Sequence, residues 1–182
     1  MEMTEEQKRM YRISFGFIKF MHDNALLRRL IDPGELLKRI GIKDGDVVFE
    51  IGCGPGFYTI GATEAVGPRG KVFAYDVNPY ACEYLSNKLA NRQVANVEVE
   101  NRNATESGLS DKSVDFAFLT GVPHIVGGLE ALLKEIKRVL KRGAVLAIRP
   151  SRNNAKEITV YVERFGLSFR STKDSFLLFS ST

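Results

Sequence analysis

The alternation of short strand-forming runs with segments of helical periodicity is the feature that most constrains the fold of this chain. The runs combine β-branched and aromatic residues, as buried strands do, and turn-forming residues bound them. They are "DVVFEI" (46–51), "KVFAY" (71–75), "VEVE" (97–100), "VDFAFL" (114–119) and "AVLAIR" (144–149). Strands separated by helices form βαβ units, in which the strands pair in parallel. The alternation therefore predicts an α/β fold around a mostly parallel sheet.

The second half of the chain contains the clearest helical pattern. In "LEALLKEIKRVLK" (129–141) apolar residues recur at three- and four-residue spacing, and Gly143 is expected to end the helix. We expect its basic face to be solvated, with nucleic-acid docking as the alternative. A further helix is predicted over 154–165, and a "TKD" turn between "LSFRS" and "SFLLFS" predicts a closing hairpin. One strand of the sheet should therefore run against the others.

The N-terminal region, 1–40, is predicted to form an aromatic helix over 4–21 and a second helix around "PGELLKRIG". Apolar residues of the first helix share one face, but Phe15 and Ile18 lie elsewhere. The residues on the shared face are Met10, Ile13, Phe17 and Phe20. This is more apolar surface than one packing face requires. The sheet, a second subunit of a homo-oligomer or a substrate beneath an N-terminal lid would each cover it, and the three stay open.

The length of the chain favours a single domain, 1–182, in which one site serves cofactor and substrate together. No apolar run approaches the roughly 20 residues of a membrane span, and the first ten residues are too polar for a signal peptide. We therefore expect a cytoplasmic protein without a membrane partner. Cys53 and Cys82 lack a C-x-x-C partner or a nearby histidine pair, so no metal site is expected. A net charge of +4 does not by itself indicate nucleic acid as a partner.

The glycine-rich stretch "EIGCGPGF" (50–57) follows the first predicted strand. Ligands of open α/β sheets bind beyond the carboxyl ends of the strands, where the strand order reverses. Gly52, Gly54 and Gly56 give the spacing G-x-G-x-G, which differs from the G-x-G-x-x-G of dinucleotide sites. Glu50 would repel a pyrophosphate and attract a cation. The stretch therefore favours a positively charged cofactor over a nicotinamide dinucleotide.

The second predicted strand ends at Asp76 in "FAYDVNP". A carboxylate at this place, following a glycine turn, accepts hydrogen bonds from ribose hydroxyls. A ribose without a pyrophosphate, attached to a cationic group, describes S-adenosylmethionine.

Four motifs in order, "VVFEIGCGPGFYT", "KVFAYDVNP", "NRNATESGLSDKSVDFAF" and "EALLKEIKRVLKRGAVLAI", resemble the class I S-adenosylmethionine-dependent methyltransferases. The resemblance covers about residues 35–150 and is greatest for the small-molecule branch, which includes quinone C-methyltransferases and arsenite methyltransferases. It implies a Rossmann-like three-layer sandwich with a seven-stranded sheet, mostly parallel, and one antiparallel strand near the C-terminus. It also implies S-adenosylhomocysteine as the product.

The resemblance implies a cofactor site made by residues of the four motifs. They are Glu50, Gly52, Cys53, Gly54, Gly56, Asp76, Val77, Asn78, Asn103, Ala104 and Thr120. Glu50 would face the methionine ammonium, and Asp76 would take the ribose hydroxyls. Asn103 stands where the family often has aspartate, and its carbonyl oxygen can still accept a hydrogen bond from the adenine amino group.

Methyl transfer from a sulfonium depends mainly on positioning and exclusion of water, so a dedicated catalytic residue is optional. His124, in "FLTGVPHIV", is the candidate general base or substrate contact, and a structural capping role stays open. His22 would reach the pocket only if the N-terminal helices form a lid. Arg149 and Arg152 follow the fifth strand, where they would contact an anionic group or be solvated.

The acceptor is predicted mainly by exclusion. "TGVPH" lacks the [D/N/S]-P-P-[Y/F/W] stretch that amino-directed nucleic-acid methyltransferases resemble one another in. The arsenite branch of the resembled family uses several cysteines to bind arsenic, and the two cysteines of this chain do not provide them. A small organic acceptor remains as the leading hypothesis. The alternatives are an RNA or protein methyltransferase that docks through the basic helix at 130–142, and a non-catalytic S-adenosylmethionine-binding protein.

Overall fold

The computed structural model describes residues 4–22, 32–120, 128–150 and 154–182, and it confirms the predicted alternation of strands and helices. The helices are α1 (Glu5–His22), α2 (Pro33–Ile40), α3 (Phe57–Val66), α4 (Pro79–Ala90), α5 (Gly128–Val139) and α6 (Ala155–Glu163). The strands are β1 (Val47–Ile51), β2 (Lys71–Asp76), β3 (Val97–Asn101), β4 (Val114–Thr120), β5 (Leu140–Arg149), β6 (Leu167–Lys173) and β7 (Phe176–Ser181). A short 3₁₀ helix, Ala104–Glu106, follows β3.

The strands form one sheet in the order β3-β2-β1-β4-β5-β7-β6. β7 is antiparallel to both of its neighbours, and the pairs among β1 to β5 are parallel. The prediction of one reversed strand near the C-terminus is therefore confirmed. The chain moves outward from β1 to β2 and β3, then returns to place β4 on the other side of β1. The strand order thus reverses beside the glycine stretch that follows β1.

Two apolar cores flank the sheet, because successive strand residues point to opposite faces. Val48 packs with α2, α3 and α4 on one face, whereas Phe49 packs with the α5 side on the other. Both residues are fully buried. The protein is therefore the three-layer sandwich that the resemblance implied, with the sheet as its middle layer.

Two predicted boundaries were wrong. α5 ends at Val139, and Gly143 lies within β5 at φ 78 instead of ending the helix. The cause is pairing with a distant strand, because Leu140 pairs with Val114 and the register then shifts in a bulge. In the hairpin, the turn falls at Asp174 and Ser175, with φ of 48 and 67, and β6 extends over Thr172 and Lys173, the first two residues of the expected turn. A two-residue turn with positive φ matches the right-handed twist of paired strands.

Candidate functional site

A cavity of about 730 Å³ lies at the carboxyl ends of β1, β2 and β4, where the strand order reverses. This volume is in the range of small-molecule and cofactor sites. The residues predicted to bind the cofactor line the cavity, with one exception, Gly56. Those that line it are Glu50, Gly52, Cys53, Gly54, Asp76, Val77, Asn78, Asn103, Ala104 and Thr120. The topology thus brings together residues from four segments of the sequence.

The three loop glycines have positive φ, at 79° for Gly52, 51° for Gly54 and 78° for Gly56. Gly52 faces open space, since a Cβ built there would meet no atom within 4 Å. A Cβ on Gly56 would lie 2.2 Å from Leu85 Cδ1. Gly56 therefore permits the close packing of the start of α3 against α4, and Gly52 and Gly54 leave the backbone open to the cavity.

Glu50 is a buried acid at the wall of the cavity, with 2% of its surface exposed. Burial raises its pKa to about 8; the nearby Thr59 hydroxyl opposes the rise and the charge of Asp76 adds to it. In the part of the chain that the structure describes, Glu50 Oε2 and Thr59 Oγ1 make no hydrogen bond of standard geometry. A buried carboxylate oxygen without a partner is costly, and a cationic donor in the cavity would remove that cost. The site therefore fits the ammonium group of S-adenosylmethionine.

Asp76 connects the loops that follow β1 and β2. Its Oδ2 accepts a hydrogen bond from the Gly54 N–H at 2.9 Å, and its Oδ1 accepts one from the Asn78 N–H at 2.8 Å. Burial raises its pKa, and these two N–H donors oppose the rise. A carboxylate has about four acceptor positions, so two backbone bonds leave capacity for a pair of hydroxyls. The geometry therefore fits a ribose and adds a structural role that the sequence did not indicate.

The two predicted asparagines act as helix caps. Asn78 Oδ1 accepts a hydrogen bond from the Tyr80 N–H at 3.1 Å, and Asn103 Oδ1 accepts one from the Thr105 N–H at 3.1 Å. The Nδ2 group of Asn78 also donates to the Tyr11 carbonyl at 2.9 Å. Each amide oxygen has a second lone pair, so capping does not prevent a contact with adenine.

α1 contributes a wall of the cavity that the sequence indicated only as surplus apolar surface. Tyr11, Ser14 and Ile18 line the cavity together with Met10. The Phe15 ring packs against Tyr84 of α4, with 5.6 Å between the ring centroids. The face with Phe15 and Ile18, which departed from the main apolar stripe, is thus the face that contacts the domain.

Buried Tyr58 and half-buried Arg149 form a pair that the sequence did not identify. Tyr58 lines the cavity, and its hydroxyl accepts a hydrogen bond from Arg149 Nη1 at 2.5 Å. Burial raises the pKa of Tyr58, and the adjacent guanidinium opposes the rise. Arg149 was expected either to contact an anionic group or to be solvated, and the structure places it against this phenol. His124 and Arg152 lie outside the described residues, and the side chain of His22, the last residue of α1, does too.

Two basic residues of α5 are paired with acids of the same helix, and Lys137 donates to the carbonyls of Gly166 and Thr182. Lys134 Nζ lies 2.7 Å from Glu130 Oε1, and Arg138 Nε lies 2.8 Å from Glu135 Oε2. Such pairs offset much of the positive charge that would attract a nucleic-acid backbone. Docking of RNA on this face is therefore not favoured.

Comparison with known proteins identifies the family. A family model described as a methyltransferase domain matches residues 42–171. The demethylmenaquinone methyltransferase of Geobacillus sp. (strain WCH70) is 30% identical over 109 residues, which are 60% of this chain and 47% of that protein. The enzyme of the same name from Staphylococcus aureus (strain JH9) is 29% identical over 136 residues, 74% of this chain and 54% of its own length. The chain thus spans about half the length of these curated relatives.

Among solved structures, a SAM-dependent methyltransferase from Aquifex aeolicus superposes with a TM-score of 0.80. It is 29% identical, and the match covers 92% of this chain and 98% of that one. The seven-stranded sheet with its antiparallel β7 agrees with this likeness. This chain belongs to the class I S-adenosylmethionine-dependent methyltransferases.

Proposed function

We propose that this protein transfers the methyl group of S-adenosylmethionine to a small organic acceptor and releases S-adenosylhomocysteine. The observation that carries the proposal is the buried Oε2 of Glu50, which has no hydrogen-bond partner among the residues that the structure describes and lies at the wall of the cavity that Asp76 also lines. Glu50 suits an ammonium and Asp76 suits ribose hydroxyls, and a pyrophosphate would offer the buried Glu50 no cationic partner. The family membership of the chain supports the same cofactor.

The cofactor would lie along the glycine loop in this proposal. Glu50 would hold the ammonium, Asp76 the ribose, and the backbone at Gly52 and Gly54 would approach the methionine. When bound, S-adenosylmethionine supplies a methyl group that is already activated for displacement. The work left to the protein is to orient the acceptor and to exclude water.

The apolar walls of the cavity support a largely apolar acceptor. Met10, Ile18, Phe57 and Leu119 line the cavity. α1 provides two of these side chains, which supports the proposal that residues 1–40 cover the site within a single domain. Water is excluded most effectively where such a wall closes over the reacting groups.

We propose that the Tyr58 hydroxyl is the polar group that contacts the methyl acceptor. Because Arg149 donates to the Tyr58 oxygen at 2.5 Å, the phenolic O–H becomes a stronger donor to an oxygen atom in the cavity. An aromatic acceptor whose hydroxyl or carbonyl oxygen accepts this bond would be oriented by it. His124 remains the proposed general base for an acceptor that must lose a proton.

Quinols are the acceptor class that we propose. The Geobacillus and Staphylococcus relatives are named demethylmenaquinone methyltransferases. A quinol ring has an apolar body and oxygen atoms at its edge, which suits a cavity with apolar walls and one polarised phenol.

The experiment that tests this function follows a tritium-labelled methyl group from S-adenosylmethionine. The protein is incubated with a short-chain demethylmenaquinol, and parallel samples contain transfer RNA or an unrelated protein in its place. We expect label in the organic extract of the quinol sample and a reduced rate for Tyr58→Phe, which removes only the hydroxyl. Label found only in RNA or protein would contradict the proposal, and cofactor binding without any transfer to the quinol would contradict the proposed acceptor.

A further inference from the structure

The outer face of α1 carries a stripe of large apolar side chains that are turned to solvent. Met10, Ile13, Phe17 and Phe20 are 64%, 63%, 66% and 82% exposed. At about 100° per residue these four side chains fall within an arc of about 80°, and at 1.5 Å per residue they extend over about 15 Å. A contiguous exposed stripe of this kind marks an interaction surface, whereas scattered apolar residues do not. We define these four residues as the outer stripe.

The opposite face of α1 is fixed to the domain, so the outer stripe is not surface left over from a loose helix. The Tyr11 carbonyl accepts a hydrogen bond from Asn78 Nδ2, and the Phe15 ring packs against Tyr84. Lys19 Nζ lies 4.3 Å from the centroid of the same Tyr84 ring. Contacts on one side therefore orient Ile13, Phe17 and Phe20 away from the sheet, and Met10, at the edge of the stripe, also lines the cavity.

The charge of α1 indicates what the outer stripe contacts. Four basic residues, Lys8, Arg9, Arg12 and Lys19, accompany two acids, Glu5 and Glu6, which leaves the helix with an excess of two positive charges. Lys8 is paired with Glu5, and Arg12 and Lys19 lie against the Tyr80 and Tyr84 rings. The whole chain has a net charge of +4. A helix with an apolar stripe and an excess of Lys and Arg binds in the plane of a membrane surface and prefers anionic lipids. Among the described residues no helix is long and apolar enough to cross a membrane, so such contact would be on the surface.

We propose that α1 docks on an anionic lipid surface, with the outer stripe inserted at the boundary between headgroups and acyl chains. A second copy of the chain is the competing occupant. A stable protein interface uses about 20–30 residues on each side, and a stripe of four side chains on one helix is far smaller. A lipid surface needs no matching patch, only apolar area and positive charge.

Docking would place the cavity beside the lipid. The inner face of α1, through Tyr11 and Ile18, lines the cavity, and the outer face of the same helix would lie in the bilayer surface. A lipid-soluble acceptor would then reach the site without crossing water. The docking itself does not depend on the proposed acceptor or on methyl transfer, so it is tested separately from the proposed function.

Flotation with vesicles tests the proposal. The full chain is mixed at low salt with vesicles of phosphatidylcholine alone, or of three parts phosphatidylcholine to one part phosphatidylglycerol. We expect flotation with the anionic vesicles, weaker flotation with neutral ones, and a decrease as salt is added, because salt screens the basic residues. The double variant Phe17→Ser and Phe20→Ser should bind anionic vesicles at least about tenfold more weakly, since each buried Phe contributes substantially to insertion.

The matched control is Val160→Ser, which removes another exposed apolar side chain, 56% exposed, on α6. It should float like the unmodified protein. Phe17 and Phe20 do not line the cavity, so the double variant should still bind S-adenosylmethionine, which shows that it is folded. Absence of flotation by the unmodified protein, or equal loss in the control, would overturn the proposal. A concentration-dependent dimer in sedimentation velocity that the double variant abolishes, without vesicle binding, would assign the stripe to a second copy.

Discussion

Replacement of Glu50 by glutamine is expected to stabilise the protein while it weakens binding of the cofactor. Glutamine keeps the shape of the side chain and removes its charge. The ionised glutamate lowers the stability of the fold because only 2% of its surface is exposed and its charge is poorly solvated. Its Oε2 also makes no hydrogen bond among the described residues. The variant therefore separates the stability of the fold from the function of the site.

The magnitude follows from the pKa of Glu50, which is raised from 4.5 to about 8. Between these two values the folded state binds the proton more tightly than the unfolded state, so this carboxyl group stabilises the fold below about pH 4.5. That contribution is lost as the pH rises through about 8. At 1.36 kcal/mol per pKa unit, the loss between about pH 5 and pH 8 is about 3.5 kcal/mol.

Urea unfolding of the native protein and Glu50→Gln at both pH values measures this difference. The free energy of unfolding of the variant should gain about 3.5 kcal/mol relative to the native protein between about pH 5 and pH 8. Glu157→Gln, which changes an exposed glutamate of α6, is the control and should show little change. A difference between native protein and Glu50→Gln that does not vary with pH would show that the pKa of Glu50 is not raised in the folded state.

The same variant tests the ammonium contact. Loss of a buried charged partner should weaken S-adenosylmethionine binding by about 2 kcal/mol or more, which is about thirtyfold in Kd. In the native protein, binding should ionise Glu50 and release close to one proton at neutral pH. Calorimetry in buffers of different ionisation enthalpy measures that proton, and the absence of its release would show that Glu50 does not meet the cation.

Three further predictions concern single residues. Asp76→Asn keeps only one acceptor oxygen of the carboxylate, so it should weaken cofactor binding by about 2 kcal/mol in calorimetry. Unchanged affinity would show that Asp76 does not bind the ribose. Gly56→Ala should lower the free energy of unfolding by about 2–4 kcal/mol, because its Cβ meets Leu85 and φ is positive. In Gly52→Ala the new Cβ meets nothing within 4 Å, so this variant should lose less stability and more cofactor affinity than Gly56→Ala. A larger loss of stability in Gly52→Ala, or a larger loss of affinity in Gly56→Ala, would contradict the assignment of Gly52 to cofactor binding and Gly56 to helix packing. His124→Ala should bind S-adenosylmethionine normally and transfer methyl more slowly, and a normal rate would return this histidine to a structural role.

The parts of the fold that the sequence predicted depend on local patterns. The strand around Val48 and Phe49 is apolar on both faces, as a central parallel strand must be, and its neighbours follow the same rule. Because parallel strands end at one edge of the sheet, Glu50 and Asp76 converge once the order of the strands is known. The position of the cavity therefore follows from local patterns together with the order of the strands.

The features that the sequence did not predict depend on residues far apart in the chain. The end of α5 is set by pairing of Leu140 with Val114, and Leu140 suits a buried position in either a helix or a strand. The bond between Arg149 and Tyr58 joins residues that are 91 positions apart. The spacing and periodicity of residues in the sequence do not indicate which distant residues pair, so these features could be found only in the three-dimensional structure.

A calorimetric comparison of three ligands under the same conditions tests most directly whether this cavity binds the methyl donor. We expect S-adenosylmethionine and S-adenosylhomocysteine to bind with Kd below the millimolar range, because both carry the ammonium and ribose that suit Glu50 and Asp76. NAD should not bind measurably, since the loop lacks the G-x-G-x-x-G spacing of a pyrophosphate site and NAD carries no ammonium for Glu50. Binding of NAD, or failure of both adenosyl ligands to bind at millimolar concentration, would contradict the assignment of this cavity as a methyl-donor site.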